Sequence, residues 1–223
     1  MALELDHIFV CVQPNAPEAL ALSNFGLIEG RRRVHKGQGT ENSCFFFQNA
    51  YLELLWLRDA TEIQSPVVQP TGLWERCCWR ETAVCPFGIS FRLTNNTLTN
   101  LPFQTWGYYA PFLPEGASIP IAANSRFQYE PLIFVSPVSI LSPAIPPRER
   151  PPLEHSCGFR DITAVKITLP TEKPFSTEMT EFQSLGLVEF IRGDAYHMQI
   201  EFDCGANSQI QDFAPDLPIS FVW

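Results

Sequence analysis

His7 in LDHIFVCV and Glu53 in YLELLWL are the residues whose type and setting best suit chemistry. Each sits in an apolar stretch that reads as a β-strand, where alternate side chains share a face. A carboxylate buried among such neighbours without a partner costs several kcal/mol. Glu53 therefore calls for a metal ion, a basic partner or a water-filled cavity. An imidazole nitrogen with a carboxylate oxygen suits a divalent ion such as Zn, Mn, Fe, Co or Ni. The plainer alternative is a wet strand glutamate beside a core histidine whose hydrogen bonds are satisfied.

Further candidates lie elsewhere in the chain. In YHMQIEFD, Met198, Ile200 and Phe202 alternate with His197, Gln199, Glu201 and Asp203. The apolar set should pack on a helix and leave the polar set toward a cavity or solvent. His197 and Glu201 would then complete a four-ligand metal set with His7 and Glu53, either glutamate being placed to move a proton. The alternative is a polar face that is simply wet. In the loop from Gly37 to Asn42, Thr40 and Asn42 are candidates to hydrogen-bond a substrate carbonyl, and otherwise ordinary turn and strand-start residues. The loop lacks the lysine and helix of a phosphate loop. Trp106, Tyr109 and Tyr129 would cap a cavity and stack on an apolar or planar ligand, or else form a satellite core. His35 and His155, in loop-like sequence, read as surface histidines. Arg31, Arg32 and Arg33 read as a solvated strand end, with anion binding as the alternative.

Recurring elements must position these groups. Residues 5–12 read as a strand with His7, Phe9 and Cys11 on one face and Ile8, Val10 and Val12 on the other. Asn15 as N-cap, Pro17 in the first turn and Gly26 as stop bracket a helix, and strands are expected at about 27–35, 42–48 and 51–57. A similar order recurs about 160 residues on: a strand at 161–169, a helix opened by Ser176 and closed by Gly186, then strands at 187–192, 196–203 and 217–223. Gly26-Leu27-Ile28-Glu29 matches Gly186-Leu187-Val188-Glu189. The expected architecture is α+β: a first βαβββ module over 1–58, a proline- and aromatic-rich middle segment over 59–156, and a second module over 157–223. Fourteen of the twenty prolines fall in that middle segment, where only 87–94 and 132–135 read as strands.

Composition narrows the function classes. Of 223 residues, 45% are hydrophobic and 17% charged, as in a globular protein. A net charge of -9 argues against a nucleic-acid partner. No apolar run reaches the roughly 18–20 residues that span a bilayer, and the acidic N-terminus is unlike a secretion signal. Seven cysteines without a C-x-x-C fit reduced thiols in a cytoplasmic protein. The chain has no G-x-S-x-G nucleophile motif.

D-H-I-F-V-x-V followed by Y-L-E-L-L-W resembles the vicinal oxygen chelate superfamily of glyoxalases, extradiol dioxygenases and bleomycin-resistance proteins. His35-x-Gly37-Gln38-Gly39-Thr40-x-Asn42, Pro86-Phe87-Gly88, Glu130-Pro131 and Leu217-Pro218 are similar to its glyoxalase-like branch. The resemblance implies paired βαβββ modules forming a cup-shaped mixed sheet, with metal ligands on the first and last strands of each module. It supports His7 and Glu53. The second copy departs from the pattern, with Thr163 where His7 would recur and Ser220 where Glu53 would recur.

Three functions follow as expectations. The first is a metal-dependent lyase, isomerase or dioxygenase acting on a small oxygen-bearing molecule. The second is a non-catalytic protein binding an apolar or aromatic small-molecule ligand on the same scaffold. The third is a structural homodimer whose cup is filled by its own side chains.

Overall fold

The computed structural model describes residues 3–94, 101–137, 142–186 and 188–223. Apolar alternation in the first stretch builds β1 (Leu3–Cys11), followed by α1 (Ala19–Phe25), β2 (Arg33–His35), β3 (Thr40–Phe46) and β4 (Tyr51–Leu57). Gly26 closes α1 in the left-handed region, φ 118°, which glycine adopts without steric cost. Asn15 does not cap this helix. It sits at φ 69°, and Glu18 occupies the cap position.

Three short helices, α2 (Ala60–Ile63), α3 (Leu73–Cys77) and α4 (Trp79–Thr82), lead into β5 (Phe87–Leu93), β6 (Thr105–Tyr108), β7 (Ile119–Ala122) and β8 (Leu132–Val135). The chain ends with β9 (Ile162–Leu169), α5 (Thr177–Ser184), β10 (Glu189–Arg192), β11 (His197–Phe202), β12 (Ile210–Asp212) and β13 (Ile219–Val222). Ser176 caps α5 as expected, its side chain accepting from the Met179 amide. Leu187, half of the repeated Gly-Leu step, lies outside the described residues.

The fold is α+β, with two mixed sheets. The first has eight strands in the order β2-β3-β4-β1-β5-β8-β7-β6, the second five in the order β10-β9-β11-β13-β12. Within the first sheet β1 is parallel to β4, β5 is parallel to β8, and β1 and β5 run antiparallel side by side. The orders β1-β4-β3-β2 and β5-β8-β7-β6 therefore follow one pattern.

This corrects the expected use of the repeat. Residues 157–223 do not join residues 1–58 in one sheet; the proline-rich middle segment does. The C-terminal strands form their own sheet, where β9 pairs with β10 in parallel and with β11 antiparallel, and β12 is an additional strand. Proline is tolerated in the middle strands by position. Pro120 lies in β7, which meets β8 through a single registered pair, Ile121 with Phe134.

The two sheets bury one core between them. Ile8, Val10, Leu52, Leu54, Phe87 and Phe91 from the first sheet join Val165, Ile167, Met198, Ile200, Phe202 and Phe221 from the second. Phe47 meets Phe202 with ring centroids 4.8 Å apart, and Phe91 stacks on Phe182 of α5 at 4.7 Å. Glu130 anchors α5 by accepting from the Ser176 amide at 2.8 Å and its hydroxyl at 2.7 Å. The C-terminal sheet thus covers one face of the larger sheet and leaves the other face for a site.

Candidate functional site

Strand register fixes which residues share the uncovered face. His7 pairs with Tyr51 and Phe9 with Glu53 across β1 and β4, while Arg33 pairs with Asn42 across β2 and β3. Ile8 and Val10, the alternates of His7 and Phe9, enter the core, as β-alternation predicts. On the other half of the sheet, Leu132 and Phe134 of β8, Ile121 of β7 and Tyr108 of β6 line the same cavity of about 370 Å³. Its wall is completed by Leu73 of α3 and by Phe112 and Leu113. Gly88 of β5 lies opposite Phe9, and a Cβ there would run into the Phe9 ring. The glycine is what lets that ring lie flat across the floor.

One end of the cavity is polar. Asp6 Oδ2 accepts from His7 Nδ1 at 2.7 Å, which places a hydrogen on Nδ1 and turns Nε2 toward Glu53 Oε2, 3.5 Å away. With a proton on Nε2 as well, the imidazolium lies between two carboxylates; without it, the lone pairs of Nε2 and Oε2 face each other. Glu53 Oε1 accepts from Asn42 Nδ2 at 2.6 Å, and Asn42 Oδ1 accepts from the Arg33 amide at 3.1 Å, so the orientation of the Asn42 amide is determined by its neighbours. Tyr51 stacks on the His7 ring at 4.4 Å, and burial pushes its phenol well above the usual range. Glu53 and His7 are 5% and 6% exposed, so their interaction is poorly screened by water.

A second chain of hydrogen bonds runs along the rim. Tyr108 donates to Gln38 Oε1 at 2.9 Å, Gln38 Nε2 donates to Thr40 Oγ1 at 2.8 Å, and Thr40 Oγ1 meets His35 Nδ1 at 2.9 Å. Burial lowers the pKa of His35, with the Glu53 charge pulling the other way. The expectation of surface histidines is corrected at both positions. His35 is covered by Phe112, ring centroids 5.0 Å apart. His155 is buried between the Ile28 amide and the Phe46 carbonyl, at 3.0 and 2.9 Å.

The other sequence candidates divide. Asn42 lines the cavity. Thr40 is fully buried behind it, held by Gln38 and His35. Trp106 turns to the Ser125 hydroxyl at 3.0 Å, and Tyr109 is 63% exposed; neither lines the cavity, where Tyr108 stands instead. The amides of Gly37 and Gly39 are taken by the Glu62 carboxylate at 2.8 and 3.1 Å, so the glycine loop cradles an anion of its own chain. His197 and Glu201 lie in the C-terminal sheet. His197 Nε2 meets the Ser220 hydroxyl at 2.9 Å and Glu201 accepts from Thr163 at 2.9 Å, so both are remote from His7 and Glu53.

The structure brings together only part of the expected metal-ligand set. Of the four expected ligands only His7 and Glu53 meet, and Asn42 already occupies one Glu53 oxygen. In the β5–β8 half, Ser90 is registered with His7, and Ser136 directly follows β8. These hydroxyls bond each other at 2.8 Å, and Ser136 donates to Asp6 at 2.9 Å. Among the described residues no group of three or more His, Cys, Asp or Glu is placed to hold an ion, whereas catalytic zinc sites commonly use three protein ligands.

Sequence reasoning missed Tyr108, Gln38 and the apolar wall from β7 and β8. The alternation in LIFV was the available signal for Leu132 and Phe134.

No protein-family model matches the chain, and no curated protein matches it. Among solved structures, it is similar to a hypothetical protein from Staphylococcus aureus at 11% identity, covering 99% of each chain with a TM-score of 0.56. That likeness concerns the fold alone. No helix among the described residues is long and apolar enough to cross a membrane.

Proposed function

We propose that this chain binds a small, largely apolar, oxygen-bearing molecule in the cavity of its eight-stranded sheet, and that the His7–Glu53 pair moves a proton to or from it. In this reading the sheet is a cup of the vicinal oxygen chelate type, built from the β1–β4 and β5–β8 halves. The observation that carries it is the opposition of His7 Nε2 and Glu53 Oε2 at 3.5 Å in a cavity that also presents an apolar wall of Phe9, Leu55, Ile121, Leu132 and Phe134. A base is effective when held within hydrogen-bond reach of its proton and shielded from water. Asp6 holds the imidazole, Asn42 holds the carboxylate, and Glu53 Oε2 is left as the atom that takes the proton.

The test is exchange of an acidic C–H with solvent. Phenylacetone in D2O, followed by NMR, should lose its α-protons faster with the protein present, and Glu53→Gln should abolish the acceleration. Binding of phenylacetone without exchange would favour the second reading, a non-catalytic carrier. The mutual saturation of Gln38, Thr40 and Tyr108 supports that alternative, since those groups are occupied with each other rather than with a ligand.

A further inference from the structure

We propose that the molecule bound in this cavity is an organic monocarboxylate with an apolar body, its carboxylate anchored at the rim by Arg33. The inference rests on the reading of the cavity as a small-molecule site and adds the class of ligand.

Arg33 is a rim residue on β2, and its charge has no carboxylate to meet. Its neighbour Arg32 pairs with Glu29 at 2.9 Å and lies over the Trp56 ring. Arg58 pairs with Glu41, and Arg92 with Glu4. Among the described residues the Arg33 guanidinium has no such partner, in a protein of net charge -9. It lies instead over the Phe112 ring, 5.5 Å from the centroid, a contact that holds its plane at the cavity mouth.

The Arg33 backbone amide donates to Asn42, whose other end holds Glu53, so the strand position that carries the cation is tied to the proposed base. Glu53, the charged acid of the lining, already faces His7. A ligand would meet one cation without a carboxylate partner, hydroxyl and amide groups that are largely bonded to each other, and an apolar wall of Phe9, Leu132 and Phe134. A planar guanidinium offers paired N–H donors that match a carboxylate. An acid with a chain or ring of moderate size would leave its anion at Arg33 and bury its body against Phe9, Leu132 and Phe134.

Titration calorimetry at low salt with octanoate and 1-octanol tests this, because the two share a body and differ in the head group. The wild-type protein should bind octanoate about tenfold more tightly than octanol. Arg33→Gln should reduce octanoate to the level of octanol and leave octanol unchanged, and high salt should erase the preference. Arg33→Lys, which keeps the charge and loses the fork, should fall between them. Equal wild-type affinity for the two probes overturns the inference and leaves the cavity reading standing. Absence of binding by either probe overturns both.

Discussion

His7 and Glu53 stand on neighbouring parallel strands with Nε2 and Oε2 3.5 Å apart, and each is held from behind by a different residue, Asp6 for the imidazole and Asn42 for the carboxylate. The two supports aim the pair at each other and at the cavity. Neither atom can turn away without breaking a bond of 2.7 Å or less.

The arrangement separates two substitutions that a surface pair would not. His7→Ala removes the imidazole between two buried carboxylates and should destabilise the protein by about 3 kcal/mol. Glu53→Gln keeps an acceptor for Asn42 and should stay within about 1 kcal/mol of wild type. Urea unfolding of both variants measures the contrast; equal losses would mean that the carboxylate opposition is not what makes His7 necessary.

Gly88→Ala should be costly for a position in mid-strand, because the added methyl meets the Phe9 ring. The ring must swing into the cavity, with an expected loss of about 1–3 kcal/mol from overpacking. Ligand capacity should fall with it. Thermal unfolding and phenylacetone binding report the two effects, and unchanged values in both would show that Phe9 has free room.

Stability should fall as the pH drops below the ordinary histidine value of 6.5. Burial lowers the pKa of His155, whose Nδ1 accepts from the Ile28 amide and whose Nε2 donates to the Phe46 carbonyl. The unfolded chain takes up a proton first, so the folded state loses ground between 6.5 and the lower folded value, and is at full advantage above 6.5. His35 acts with the same sign. Tm measured from pH 7.5 to pH 5.5 should decline, and His155→Gln, which offers one acceptor and one donor, should flatten the decline. A slope unaltered by the substitution would assign it to other groups.

Metal analysis addresses the expectation of a divalent ion directly. With two protein donors, dialysed protein should carry well under one equivalent of Zn or Mn, and added metal should not raise Tm appreciably. A stoichiometric ion lost in both His7→Ala and Glu53→Gln would instead make the site a metal centre, its remaining ligands coming from water or substrate.

Much of this was legible locally. The alternation in β1 put His7 and Phe9 opposite Ile8 and Val10, and the cost of burying Glu53 required a partner that His7 and Asn42 supply. Gly26 and Ser176 marked helix ends through torsion and hydrogen bonding that need no tertiary context. Strands β6 and β7 were hidden because each has four residues and one contains Pro120. His35 looked exposed because nothing in its own segment covers it; Phe112, distant in sequence, does.

The sequence by itself determined the α+β character, the faces of the long strands and the two central side chains, since these depend on backbone periodicity and on the desolvation of a single charge. The tertiary structure alone decided which segments share a sheet. Backbone hydrogen bonds pair any strand with any other, so the partner of β1 was chosen by the burial of whole faces. The middle segment took that place, with Ser90 beside His7 and Ser136 bonded to Asp6, and the C-terminal strands, with His197 and Glu201, became the cover of the opposite face.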